Sequence, residues 1–519
     1  MNRGTRPRGR VLVAVVTCAV IVLAGCTAAR PRADAAPAPT QAAFPAEALV
    51  PRPCTDTPNW DAVDVPPERR RRIDVRCSTL TVPLDHADRQ RGTLEIAVVR
   101  VRARDQVDRI GSLILNPGGP GVSGLDRMPG WVAWLPDELL TRFDLVSFDP
   151  RGTGASSPLR CGRPDDLDTA PVPDMRTETG FAAGKELLRE RASACADVLA
   201  ERAGPFGTDA VARDLDLLRE ALGDRRTTYV GWSYGARLGA QYAHLFPDRV
   251  RALVLDAPPH PTASWREVID AQITGFETAF ASYATGCPTR DSCGLVAGDP
   301  RGVLARLVRS ARIRPVPSGR PAGDAPATWD VVLRAVLGFL AAPELWSDLD
   351  AALSEADRGD SGSLYDMVDS LEGRTPAHPD ADTDDAMQVV LCTDTAAGGD
   401  IDDVRAEARD FGRAHPTFGE IGAWWLFACS AWTAPRVPLP PPDTTTTAPL
   451  LVVGTTADPA TPFGGAVALA DVLGPRGVLL RSAGAGHSAF GRSDCVGRHV
   501  VRYLLDVDPP PRGTVCPST

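Results

Sequence analysis

Hydrophobic and polar positions along the chain fall into regimes that predict different elements. Ser78–Pro83 and Thr93–Val101 alternate apolar with polar residues between turn residues, the pattern of strands at the edge of a sheet. Ser112–Leu115, Thr227–Val230 and Ala252–Leu255 are short, mostly apolar runs, as expected for strands covered on both faces, and Phe143–Phe148 reads as a further strand. Between them, Thr208–Leu222 sets Val211, Leu215, Leu218 and Leu222 at helical spacing. This alternation of strand and helix predicts a mainly parallel α/β sheet.

From Pro261 to Asp385 the strand rhythm stops, and helical patterns such as Trp329–Leu340 and Leu345–Ala356 are broken by Pro- and Gly-rich stretches. Strand-like runs return at Met387–Leu391, Leu450–Val453 and Gly477–Arg481. An insertion of that size inside a sheet predicts a helical cap. The expected organisation is a core in two parts, 51–260 and 386–519, with the cap at 261–385.

The N-terminus differs from all of this. A basic stretch, the apolar run Val11–Leu23 and Ala24-Gly25-Cys26 have the layout of an export signal over residues 1–25. Leu23-Ala24-Gly25-Cys26 also resembles a bacterial lipobox, which predicts lipidation of Cys26; the alternative is an ordinary signal peptide with a chance cysteine. Residues 26–50, rich in Ala and Pro, read as a flexible tether. The expected location is therefore the cell surface, lipid-anchored to the outer face of the cytoplasmic membrane, or the medium.

Composition adds exclusions. With 24% charged and 43% hydrophobic residues over 519 positions, the chain is an ordinary globular protein. Its net charge of -10 argues against a nucleic-acid partner, which requires a basic footprint. Of 12 cysteines, Cys18 and Cys26 lie in the leader region, and the other ten suit an oxidising compartment. Sequential pairing predicts Cys54 with Cys77, Cys161 with Cys195, Cys287 with Cys293, Cys392 with Cys429 and Cys495 with Cys516. None of these spacings reads as a zinc site, and no metal or other cofactor is expected.

The chemistry centres on Gly231-Trp232-Ser233-Tyr234-Gly235, between an apolar run and a helical segment. A GxSxG in that position predicts a nucleophile elbow, with a serine exposed on a strained turn. Asn116-Pro117-Gly118-Gly119-Pro120-Gly121 follows an earlier strand, but it has neither GxGxxG nor P-loop spacing. The one lysine, Lys185, lies outside it, which excludes P-loop and Schiff-base chemistry. The loop is instead expected to aim an amide at a substrate carbonyl. Gly119 is the choice over Gly118, with the Tyr234 amide as its partner in an oxyanion hole. Asp149, with Arg151 as partner, reads as a cap of the turn after its strand.

Ser233, Asp458 and His487 occur in the chain order of α/β-hydrolases, the last two each following a late strand. His487 would take the serine proton and return it to the leaving group, while Asp458 orients the imidazole. Of seven histidines, only His487 follows a late strand in a Gly-rich turn. Asp256, at the end of the strand after the elbow helix, is the competitor for the acid.

With these residues assembled, the chain resembles the secreted tripeptidyl aminopeptidases of actinobacteria, relatives of proline iminopeptidase within the α/β-hydrolases. The resemblance runs from Cys54 to Cys516. It is carried by Val82-Pro83-Leu84-Asp85, Asn116–Gly121, Asp149-x-Arg151-Gly152-x-Gly154, the elbow, the segments around Cys392 and Cys429–Trp432, Asp458-x-x-Thr461-Pro462 and Gly486-His487. Asn116 stands where the iminopeptidases have His, which favours the tripeptidyl branch. The resemblance implies removal of short peptides from N-termini through an acyl-enzyme. An aminopeptidase must pair the substrate ammonium with a carboxylate, and Asp394, just after the run Met387–Leu391, is the candidate, with a turn-capping role as its alternative. The expected partner is a peptide or small ester, and contact with a membrane is expected only through the lipid. Two other functions fit the same residues: an esterase or other small-molecule hydrolase, and a catalytically inactive surface lipoprotein acting as a binding module.

Overall fold

Among the described residues of the computed structural model nine strands form one sheet: β1 (Ile73–Pro83), β2 (Thr93–Ala103), β3 (Gly111–Asn116), β4 (Phe143–Phe148), β5 (Thr227–Trp232), β6 (Val250–Asp256), β7 (Leu450–Ala457), β8 (Gly477–Ala485) and β9 (Val515–Cys516). Their spatial order is β1-β2-β4-β3-β5-β6-β7-β8-β9. The structure describes residues 48–55, 60, 61, 63–161, 172–174, 177–202, 205–295, 299–319, 326–374, 383–396, 401 and 404–518. The expected leader, the lipidation site Cys26 and the tether up to residue 47 lie outside them. Among the described residues no helix is long and apolar enough to cross a membrane.

β1 and β2 form a long antiparallel pair, β2 runs antiparallel to β4, and every later pairing is parallel. The central strands read as apolar runs because both faces are covered. In β6 and β7, Leu253, Leu255, Leu450 and Val452 enter one core, and Ala252, Val254, Leu451 and Val453 enter the core on the opposite face. After β3 the chain adds β4 on one side and then returns to add β5 on the other. The carboxyl ends of β3 and β5 therefore adjoin where the sheet's winding direction switches, the place where open α/β sheets bind their ligands.

Between β6 and β7 the chain leaves the sheet for a helical insertion with its own core, which includes Ile273, Phe280, Trp329, Val336, Leu353 and Phe418. Two expectations are corrected here. Met387–Leu391 is not a strand but lies within the helix Thr383–Asp394, and the helical part does not end at residue 385 but continues through the helix Gly419–Phe427. The misread run is apolar because Ala386, Val389, Val390 and Cys392 are all buried, so the helix shows no clear polar face over that stretch. Among the described residues five disulfides each join consecutive cysteines: Cys54–Cys77, Cys161–Cys195, Cys287–Cys293, Cys392–Cys429 and Cys495–Cys516.

Candidate active site

Ser233 sits between β5 and the helix Tyr234–Leu245 with φ 57° and ψ -123°, a backbone conformation that side-chain-bearing residues rarely adopt. The flanking glycines are sterically required. A Cβ on Gly231 would lie 2.2 Å from the Gly235 carbonyl oxygen, and one on Gly235 would lie 2.6 Å from that of Asn116. The Ser233 amide donates to the Asp256 carbonyl at 2.8 Å, and the Tyr229 hydroxyl donates to the Gly235 carbonyl at 2.7 Å. These bonds hold the turn in its strained form.

The loop after β3 lies against this elbow. A Cβ on Gly118 would stand 2.4 Å from the Trp232 carbonyl oxygen and 3.1 Å from the Tyr234 nitrogen, and φ at Gly118 is 95°. The Gly118 amide donates to Asn116 Oδ1 at 3.1 Å, so Asn116 uses its side chain to close its own turn. Among the described residues the amides of Gly119 and Tyr234 have no acceptor. That difference favours Gly119 over Gly118 as the donor available to a substrate, and it could not be read from two adjacent glycines.

His487 follows β8. Its Nδ1 lies 3.0 and 3.1 Å from the two carboxylate oxygens of Asp458 and 3.2 Å from Thr461 Oγ1. The Asp458 carboxylate is held in turn by the amides of Ala460, Thr461 and Ser488 and by the Thr461 hydroxyl, at 2.9 to 3.1 Å. The turn that carries the histidine spends five consecutive amides. Gly486 donates to the Ala457 carbonyl, His487 to the Ala341 carbonyl at 2.7 Å, Ser488 to Asp458, and Ala489 and Phe490 to the Asp256 carboxylate. Burial pulls the imidazole pKa down, but the charge and hydrogen bond of Asp458, helped by Asp256, outweigh it and leave the pKa above its ordinary value. The side chain is 25% exposed and Nδ1 is engaged, so Nε2 is the edge available for proton transfer.

Asp256, the competitor for the acid, does not bond the imidazole. It is fully buried and accepts the amides of Ala489 and Phe490 at 3.0 and 2.8 Å; burial, partly offset by those bonds, raises its pKa to about 6. The setting of Asp394, the candidate for a substrate amine, differs from the one expected. It ends a helix rather than following a strand, and its two oxygens receive the amide and the hydroxyl of Thr208 at 3.0 and 2.5 Å. Thr208 Oγ1 is also 2.6 Å from the Tyr234 hydroxyl, so Asp394 buttresses the residue after Ser233 from behind. Asp149 caps its turn by accepting from Ser123 Oγ and from the amides of Leu125 and Ala155, but Arg151 is not its partner. The Arg151 guanidinium is buried and reaches both oxygens of Asp214, at 2.7 and 2.6 Å.

The helical insertion touches both late loops, which the sequence did not reveal because the contacts are largely to main-chain atoms. Besides the Ala341 carbonyl, Gln272 donates to the Ala460 carbonyl at 2.8 Å, and Arg492 links the His487 carbonyl at 3.2 Å to Glu344 at 2.5 Å. Among the described residues two groups of Cys, His and Asp side chains lie close enough to share an ion, but each contains a disulfide whose sulfurs are already bonded.

A family model described as the alpha/beta hydrolase fold matches residues 111–491. Serine protease Hip1 of Mycobacterium tuberculosis is 35% identical over 469 residues, covering 85% of this chain and 87% of that protein. Carboxylesterase B of the same species is 33% identical over 456 residues, with 85% and 86% covered. Tripeptidyl aminopeptidase of Streptomyces coelicolor is 30% identical over 459 residues, with 85% and 83% covered. The chain belongs to the α/β-hydrolase family, within the group of actinobacterial serine peptidases that contains the tripeptidyl aminopeptidases.

Proposed function

We propose that this protein is an exported serine exopeptidase that removes short peptides from N-termini through Ser233, His487 and Asp458. One observation carries the chemistry: a serine on a strained elbow at the sheet's switch point, tied through Asp256 to the turn of a histidine whose Nδ1 is fixed by a buried carboxylate. His487 Nε2 takes the proton of Ser233 Oγ as that oxygen attacks the peptide carbonyl. The amides of Gly119 and Tyr234 receive the oxyanion. Collapse breaks the C–N bond, and His487 returns the proton to the departing amine. Water, deprotonated by the same imidazole, then releases the acyl group.

Cleavage near chain ends is supported by the relative named tripeptidyl aminopeptidase and by the insertion that rests on both late loops. Export is supported by five disulfides, which form in oxidising compartments, and lipidation of Cys26 would hold the product at the membrane surface. N-terminal profiling of peptide digests tests the reading. Wild type should release N-terminal tripeptides and Ser233→Ala should not; internal cleavage only, or equal activity of the two proteins, would refute it. An esterase is the second reading, favoured by the relative named Carboxylesterase B. Fast turnover of short acyl esters with no cleavage of tripeptide anilides would select it. Failure of Ser233 to react with a fluorophosphonate would leave only an inactive binding module.

A further inference from the structure

Asp256 is bonded to both halves of the candidate site. Its carbonyl accepts the Ser233 amide at 2.8 Å, and its carboxylate accepts the amides of Ala489 and Phe490, two and three residues beyond His487. A single residue thus sets the spacing between the strand end that carries the serine and the turn that carries the histidine. Spacing of that kind matters, because a misplacement of about 1 Å can cost about 100-fold in rate.

The charge at this position is the second observation. The buried carboxylates Asp144, Asp214, Asp216 and Asp350 each face at least one arginine: Arg100 and Arg109, Arg151, Arg219 and Arg249, and Arg290 respectively. Asp256 is equally buried, yet among the described residues it forms no ion pair; the same holds of the turn cap Asp149, so what sets Asp256 apart is its place against the His487 turn. The positive charge it senses is that of His487. Keeping an unpaired carboxylate inside a protein is costly, and a neutral side chain could have capped the turn. A buried anion here has a use when the imidazole becomes an imidazolium.

We infer that Asp256 is a positioning residue of the reaction: it fixes the His487 turn against the Ser233 elbow and favours, by its charge, the imidazolium formed when His487 takes the serine proton. Asp458 remains the hydrogen-bonded acid, and Asp256 acts across the turn. This rests on the catalytic roles proposed above for Ser233 and His487. The other charges around the imidazole are Asp458, on the loop after β7, and Arg492, on the histidine's own turn and paired with Glu344 of the insertion. All three stay in place when Asp256 is changed.

The test is the pH profile of Asp256→Asn on a substrate that wild type turns over. With one charge-assisted hydrogen bond lost, kcat should fall about tenfold with KM nearly unchanged. The acid limb of kcat/KM should move to lower pH, because the imidazole has lost an anion that raised its pKa. A side chain that merely braces the fold would lower stability or kcat and leave that limb in place, which would overturn the inference. If Asp256→Asn does not give a cooperative melt, the question passes to the wild-type protein with ring-15N histidine, the His487 signal being assigned by its loss in His487→Gln. The imidazole titration should then depart from a single-site curve as Asp256 protonates nearby; a single-site curve would overturn the inference. Fluorophosphonate labelling of wild type separates the two levels. An unreactive Ser233 refutes the proposed catalysis, whereas a reactive one with an unmoved limb refutes only the role of Asp256.

Discussion

Replacing Asp458 by Asn keeps its shape and removes its charge, which makes it the sharpest perturbation of the proposed catalysis. One carboxylate oxygen accepts the amides of Ala460 and Thr461, and the other accepts the Ser488 amide and the Thr461 hydroxyl; both lie within 3.1 Å of His487 Nδ1. An asparagine has a single acceptor oxygen, so whichever way its amide is turned, an NH2 faces at least one of those backbone N–H groups. The loss in stability should be about 1–3 kcal/mol, the cost of an unsatisfied buried donor. The catalytic loss should be larger. If the NH2 faces Nδ1, it stabilises the tautomer with the proton on Nε2, and that nitrogen can no longer accept the serine proton. The expected fall in kcat is about 10,000-fold, equivalent to about 5.5 kcal/mol of barrier, with KM little changed. Steady-state hydrolysis of a tripeptide anilide measures it, and the rate of fluorophosphonate labelling reports on serine activation without product release. The neutral imidazole is the working base, so activity falls as pH drops through the pKa of His487, which Asp458 helps to hold above its ordinary 6.5. In the variant the residual activity should persist to lower pH. A kcat within tenfold of wild type, in a protein that melts cooperatively, would refute the assignment of Asp458.

Other perturbations probe different parts of the molecule. Gly118→Ala places a methyl group 2.4 Å from the Trp232 carbonyl at a φ of 95°, so the donor loop must shift away from the elbow. Removal of one oxyanion donor costs about 100- to 1,000-fold in kcat, and a variant as active as wild type would show that this loop does not serve the oxyanion. Arg151→Met leaves Asp214 buried without its arginine, which should cost about 3–5 kcal/mol in urea unfolding, with activity retained by the protein that stays folded. Replacing Cys392 and Cys429 together by Ser opens a loop with a sequence separation of 37 residues; the loss should be about 4 kcal/mol, visible as a lower melting temperature.

Strand positions were legible in the sequence wherever two physical signals agreed. Phe143–Phe148 carries four apolar residues and ends at the turn residues Asp149-Pro150, and it forms β4 with the same bounds. Met387–Leu391 satisfied only one of the two, since a buried helix and a buried strand both produce a β-branched apolar run. Its burial depends on packing against the sheet's core, which Val389 and Val390 join, and on the Cys392–Cys429 bridge, neither of which is encoded locally. Ser233, Asp458 and His487 stood out as candidates because the proposed chemistry restricts residue type and chain order, and the fold brings Asp458 and His487 together. What a main-chain atom does was not legible. Gly118 and Gly119 are the same letter, and only the Asn116 side chain, by taking the first amide, distinguishes them. Arg151 and Asp149 stand two positions apart and invited pairing, yet the arginine reaches across to Asp214, 63 residues away in sequence.

The insertion's contacts bear on what kind of part it is. A separate lid would cover a site that is complete without it. Here the His487 amide donates to Ala341, the His487 carbonyl accepts from an arginine held by Glu344, and the loop of Asp458 accepts from Gln272. The first of these matters most, because Ala341 caps the end of the helix Trp329–Leu340, whose apolar face is built into the insertion's own core. The position of His487 is thereby referred to that core as well as to the sheet. Excising the insertion would leave the His487 amide without its acceptor and release one of the five consecutive bonds that hold the turn. The helical part is therefore better regarded as the third wall of the His487 turn, alongside Asp458 and Asp256, than as a cover placed over a finished site.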